Sequence, residues 1–382
     1  MTTDAAGQPG GAHAGETSHP FKQTGKFGNF APLALKNALL GLVTLTLYRF
    51  WGRTEMRRRI WASTTLMDDA LEYTGTGMEL FRGFLIAIPV FFIPFILVFY
   101  VAPLVLDPVF SALLLFAFYP IALPMLGAAL YLMRRYQLSR TRWRGIRFGL
   151  GGSAVEFGFA SFGWMLLEGV TLGWYHPAAR MRRARRLWSE ARFGDQPFTF
   201  AEGETELAKG LYGPYAIGWI GSFVSYFVAF VPMFLIIGFQ AMATGDFENI
   251  GLEDPAFIAS IIGGFILSGV LLIFLLVLVW APFNAAAMNR TAELLALDGA
   301  RFKMKATTFG IFGVQSSGLL VTIFTLGILS PVAGMWLVRY MFNRLEMIGS
   351  PRLDEIYQGK EGPGQGEGIA DAFDLDFGAG AI

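Results

Sequence analysis

No cysteine occurs in the chain, which excludes disulfides and thiolate metal sites without fixing the compartment. Histidine is almost as scarce. Of the three, His13 and His19 lie near the N-terminus and His176 stands alone, so no metal-ligand spacing exists. Charge is sparse too, at 15% of residues against the usual ~25%. The first twenty residues lack both the basic and the apolar region of a secretory signal peptide. No serine sits in a nucleophile elbow and no carboxylates pair at an evident cleft, so neither an enzyme activity nor a cofactor is expected. Gly149-Leu150-Gly151-Gly152 has no βαβ unit around it and reads as a hinge rather than a dinucleotide loop.

What is present is apolar. Hydrophobic residues make up 54% of the chain and the mean hydropathy is +0.49. Runs at 83–106, 109–133, 211–240 and 256–281 are each long enough to cross a bilayer, which takes about 20 residues. Asp107-Pro108 joins the first two into a tight hairpin. The acidic stretch with Asp246, Glu248, Glu253 and Asp254 joins the other two.

Between these hairpins one sequence grammar occurs three times. Thr44-Leu45-Thr46, Thr171-Leu172-Gly173 and Thr325-Leu326-Gly327 each end a shorter apolar segment and lead into a basic helix. Phe50, Pro177 and Pro331 align without gaps, as do Arg58, Arg185 and Arg339. The three copies span about 30–80, 154–205 and 309–354. After five apolar segments the chain passes through basic or amide residues and a polar turn to a short aromatic stretch, as in Asp195…Phe200 and Asp298…Phe302. Such stretches read as strands that pair into a small sheet against the membrane face. Phe21 to Ala31 reads as a short strand or turn.

The fold class expected is therefore an all-α polytopic membrane protein. It has two transmembrane hairpins, three Thr-Leu-Gly-type apolar segments and short cytoplasmic strands. Residues 1–20 and the Gly- and acid-rich 358–382 read as disordered tails around a single membrane domain, 21–357.

Arginine placement bears on topology, because cytoplasmic loops carry the excess of basic residues. Seven spans would leave one arginine cluster outside whichever way the chain inserts. Four spans, with the Thr-Leu-Gly segments re-entrant or interfacial, place every cluster and both termini in the cytoplasm. Arg57, Arg58, Arg59, Arg134, Arg135, Arg182, Arg183, Arg185 and Arg186 are then candidates for setting topology and meeting anionic headgroups, at roughly 1 kcal/mol each near the surface. Beside membrane segments that role outweighs nucleic-acid binding.

Polar groups inside apolar segments are costly and mark functional candidates. Glu168, Glu156, Lys36 and Asn37 qualify. Glu168 is the most informative, since the other copies have Gly41 and Thr322 at its position. In a small-solute or ion transporter it would couple proton or cation movement. In a membrane scaffold or anionic-lipid-binding protein, Glu168→Gln would be neutral or slightly stabilising.

The Thr-Leu-Gly segments resemble the hallmark of the YjgN-like family, bacterial inner-membrane proteins classed as a domain of unknown function. There an apolar run ends in Thr-Leu-Gly-x-Tyr-x-Pro-Trp before a basic helix. Here Thr46 and Phe50 replace Gly and Pro in the first copy, and Ala178 replaces Trp in the second. Asp298-Gly299-Ala300-Arg301-Phe302 resembles a further family element. The resemblance implies an inner-membrane location and assigns no substrate, cofactor or catalytic residue.

Overall fold

In the computed structural model, residues 17–244, 255–349, 351–352 and 356–357 are described. The acidic stretch 245–254 and the tail from 358 onward lie outside them. The polypeptide alternates between short strands and helical hairpins. Strands β1 (Ser18–Pro20) and β2 (Lys22–Gln23) lead into helices α1 (Phe27–Val43) and α2 (Arg49–Ala62). Strands β3 (Thr64–Leu66) and β4 (Asp69–Tyr73) follow, then the long helices α3 (Gly77–Val105) and α4 (Pro108–Arg140). The same order continues through β5 (Thr141–Trp143), β6 (Ile146–Leu150), α5 (Ala154–Val170) and α6 (His176–Ser189). Next come β7 (Ala191–Phe193), β8 (Gln196–Phe200), α7 (Tyr212–Thr244) and α8 (Pro255–Glu293). The series ends with β9 (Leu295–Leu297), β10 (Ala300–Met304), α9 (Thr308–Phe324), α10 (Ser330–Phe342) and β11 (Leu345–Ile348).

All eleven strands join one antiparallel sheet in which chain neighbours pair in order from β3 to β11. The segment 18–23 closes it. β1 pairs with β11 (His19 opposite Met347) while β2, directly after it, pairs with β3 (Lys22 opposite Thr65). Phe21 N donates to Leu345 O at 3.0 Å between the two. The result is a nearly closed barrel. The all-α expectation is thus corrected: the strands are short, but together they form the frame to which every helix attaches. Two-residue to five-residue strands hold because β3 to β11 are each flanked on both sides, and the two end strands, β1 and β2, are consecutive in one segment. Two boundaries also move. The N-terminal tail gives way to strand at Ser18 rather than after residue 20, and most of 21–31 is strand followed by the start of α1.

The connections sort to two rims. Four tight turns lie at one: Met67-Asp68, Arg144-Gly145, Gly194-Asp195 and Asp298-Gly299. Three of them have positive φ at both central residues and the fourth has it at Gly194, the geometries whose twist suits two-residue hairpins. Five helical hairpins leave the opposite rim and return to it. Thr76, Ser153 and Thr307 start the outgoing helices α3, α5 and α9, their side chains accepting from the backbone N–H of Glu79, Glu156 and Gly310.

The four helices α3, α4, α7 and α8 are long and apolar enough to cross a membrane. In α3 the i→i+4 ladder widens into π turns at Ile88–Phe92 and Leu97–Val101, next to Pro89, Pro94 and Pro103 that cannot donate. Helices α1, α5 and α9 have 17 residues each, about 25 Å, short of the ~30 Å hydrocarbon core. Their return helices begin at the Thr-Leu turns and carry the arginines. Both ends of each of these hairpins are held at one rim of the barrel.

The three Thr-Leu turns have the same geometry. Thr44, Thr171 and Thr325 Oγ1 donate to the carbonyl four residues earlier and accept the N–H four residues later. Leu45, Leu172 and Leu326 take φ of 49°, 51° and 50°, followed by Thr46, Gly173 and Gly327 at 70°, 91° and 84°. Thr46, Gly173 and Gly327 N–H then reach back to Gly41, Glu168 and Thr322 O, the six-to-one bond of a Schellman cap. The cap stops one helix and re-aims the chain into the next.

Candidate functional site

Each return helix ends at the barrel rim and carries an arginine in its last turn: Arg59, Arg140, Arg186, Arg290 and Arg339. A cation there complements the partial negative charge of the helix C-terminus. Most of the candidate arginines are engaged within the protein. Arg58 donates to Gly75 O (2.8 Å), Arg59 to Asn29 O (2.7 Å) and Arg135 to Gly152 O (2.6 Å). Arg57 is 8% exposed. Arg183 pairs with Glu168, and Arg186 with Glu156 (2.8 Å) and Glu190 (2.5 Å).

The acidic and polar candidates are the other halves of such contacts. Glu168, near the end of α5, accepts from Arg183 and lies 3.3 Å from His176 Nδ1. Burial pushes the His176 pKa down, partly opposed by Glu168. Glu156 in the first turn of α5 pairs with Arg186. Lys36 Nζ is 2.6 Å from Glu55 Oε1 between α1 and α2, with both side chains over two-fifths exposed. Asn37 Nδ2 donates to Gly52 O at 3.2 Å. Every one of these contacts ties an outgoing helix to its return helix, so the polar groups serve as struts of the short hairpins.

Arg182 and Arg185 are different. Both are exposed and neither forms an ion pair with a carboxylate among the described residues; Arg182 donates only to the Tyr175 hydroxyl. They line a groove of about 1050 Å³ together with Lys209, Trp164 and Tyr212. Lys209 is exposed and follows β8 in the loop leading to α7, so proximity in sequence could not link it to α6. Arg180 on the same helix instead turns inward, donating to Asn284 Oδ1 (3.0 Å) and lying over the Phe283 ring. Burial, then Arg183, pulls its pKa down to about 10.

The second concave feature is the barrel interior. Alternate residues of the strands point inward, among them Leu71, Trp143, Phe193, Phe198, Phe302 and Met347, all buried. They enclose an apolar cavity of about 260 Å³. Eight strands leave a bore just wide enough for side chains to fill, and eleven make a wider one. No single strand reveals the cavity. The available signal was the recurrence of large apolar residues at alternate positions in the short strands.

The family model for bacterial proteins of unknown function, DUF898, matches residues 18–372. The chain belongs to that family. The match begins at the first residue of β1, so it covers the strand that closes the barrel of this DUF898 protein. No curated protein and no solved structure matches the chain.

Proposed function

We propose that this DUF898 protein is a non-enzymatic protein of the bacterial inner membrane that binds anionic lipid headgroups at its barrel-side face. The observation that carries the reading is the groove of Arg182, Arg185 and Lys209. It gathers exposed cations that form no ion pair with a carboxylate among the described residues. They outnumber the groove's acids, since Glu190 is paired with Arg186 and only Glu206 remains. The groove lies on α6, a helix ending at the barrel rim. Each such cation near an anionic surface contributes about 1 kcal/mol. Trp164 and Tyr212 beside them have the amphipathic character suited to the headgroup level. Transport, the other reading of the sequence, needs Glu168 exposed to a polar path. Its engagement by Arg183 and His176 favours the lipid-binding reading.

In the proposed orientation the barrel and all arginine clusters are cytoplasmic, and the Asp107 turn is outside. Single cysteines replacing Ser63, Ser189 and Asp107 test this in intact cells. An impermeant thiol reagent should label position 107 alone; labelling of 63 and 189 alone would reverse the orientation. The headgroup reading is tested by the melting temperature in phosphatidylglycerol against phosphatidylcholine nanodiscs. Anionic lipid should stabilise the wild type and not the Arg182→Gln/Arg185→Gln/Lys209→Gln variant. Equal stabilisation of both would remove the groove as the site. Ion flux in liposomes above the lipid-only background, abolished by Glu168→Gln, would return the assignment to transport.

A further inference from the structure

We infer that the barrel interior is a binding site for a single hydrocarbon chain with a carboxylate or ester head. The cavity is a second site, distinct from the headgroup groove. Arg182, Arg185 and Ser189 of α6 line the groove, whereas Ala184, Leu187 and Trp188, on the other side of that helix, line the cavity. At about 30 Å³ per water-sized group, 260 Å³ accommodates about nine such groups. Aromatic and aliphatic side chains form nearly all of its wall, which suits a chain of methylenes and offers little to a polar ligand.

The polar exceptions cluster on one element. Arg134, Gln137 and Thr141 line the cavity, spaced three and four residues apart at the end of α4 and the start of β5. They therefore share one helix face at the rim from which the helices depart. The Gln137 side-chain amide has no hydrogen-bond partner among the described residues. Gln137 is half-buried, whereas Trp143, 3% exposed on β5, leaves a fully buried indole Nε1 unpartnered. Buried polar groups are nearly always satisfied, and unsatisfied ones beside a cavity point to a missing acceptor. A carboxylate or ester oxygen supplies that acceptor. The head oxygen then sits between Gln137 and Trp143, and the chain fills the rest of the apolar wall. Both a free fatty acid and one chain of a bilayer phospholipid carry this chemistry.

The test uses the full chain in phosphatidylcholine nanodiscs, where the cationic groove has no anionic lipid to bind. Titration with terminally brominated decanoic acid should quench tryptophan fluorescence saturably. Trp143→Phe should remove part of the quenching, and unbrominated decanoic acid should reverse it. Ala191→Phe and Ala184→Phe, two independent ways of filling the cavity, should abolish it while keeping or raising the melting temperature. Gln137→Leu should weaken the acid without weakening terminally brominated decane. Nanodiscs of chain-brominated phosphatidylcholine identify the source: quenching lost in the filled variants assigns a bilayer chain, and its absence assigns the free acid. Non-saturable quenching of the wild type, or quenching unchanged in a folded filled variant, overturns the site. Neither result bears on the phosphatidylglycerol effect at Arg182 and Arg185, so the two proposals fail separately.

Discussion

The Glu168 carboxylate accepts from the Arg183 guanidinium across the Thr-Leu turn that joins α5 to α6. The pair is only a fifth to a third exposed, at 21% and 33%. Breaking it leaves a cation facing a poorly hydrated site, which outweighs any relief from removing the acid. Glu168→Gln is therefore expected to destabilise the protein, contrary to the neutral or stabilising effect the sequence suggested for a scaffold. A fully buried pair loses about 3–5 kcal/mol on truncation; residual solvent access brings the expectation here to about 1–2 kcal/mol. Thermal unfolding of Glu168→Gln, Arg183→Gln and the double variant measures it. A double variant as unstable as the sum of the two singles would show that the pair has no coupling.

His176 lies beside the same carboxylate, and burial holds its pKa below the ordinary 6.5. The folded state therefore favours the neutral ring, while the unfolded chain takes up a proton first as the pH falls. The contribution is complete above about pH 6.5 and is lost as the pH drops through the folded value. The melting temperature should fall between about pH 7 and pH 5.5 by more in wild type than in His176→Asn. Identical profiles would assign the acid sensitivity to other groups.

Thr46 occupies, at φ 70°, the position that Gly173 and Gly327 take in the other two turns. A β-branched residue is strained in that region and its hydroxyl makes no compensating hydrogen bond in the described structure. Thr46→Gly should raise stability by about 1 kcal/mol, the left-handed strain outweighing the added freedom of the unfolded chain. Gly173→Thr should do the opposite with more force, because a Cβ there also meets the Tyr215 hydroxyl oxygen at 3.0 Å. Urea or thermal midpoints of the two variants provide the check.

Helices α4 and α5 approach through Gly127 and Gly158. A Cβ on Gly158 would lie 2.3 Å from Pro124 O and 3.1 Å from Ala128 N, both backbone atoms that cannot rotate away. Displacing the helix pair should cost towards the upper end of about 1–3 kcal/mol, so Gly158→Ala should destabilise despite the about 1 kcal/mol gained from alanine's helix propensity. Gly163→Ala on the same helix, where a Cβ meets nothing within 4 Å, should be neutral or stabilising. Equal melting temperatures for the two variants would contradict the close approach.

Local signals carried much of the architecture. Four apolar runs marked the long helices, because spanning length and hydropathy are properties of a contiguous stretch. Thr-Leu-Gly marked the three turns, since a Schellman cap is made within six residues. Asp298-Gly299 marked a polar turn for the same reason. The barrel was not legible: its strands are two to five residues long, and their pairing depends on partners brought together over long helical excursions. Closure joins Ser18–Gln23 to strands near both ends of the chain, a relationship no window of sequence contains. The same limit applied to the charges. Sequence alone determined which segments are apolar and where arginines accumulate. Only the tertiary structure decided that Glu168, Glu156 and Lys36 are spent on pairing, that Arg182 and Arg185 share a groove with Lys209, and that eleven short strands surround a cavity. Hydropathy and capping act between near neighbours, whereas ion pairing and enclosure depend on distances set by the whole fold.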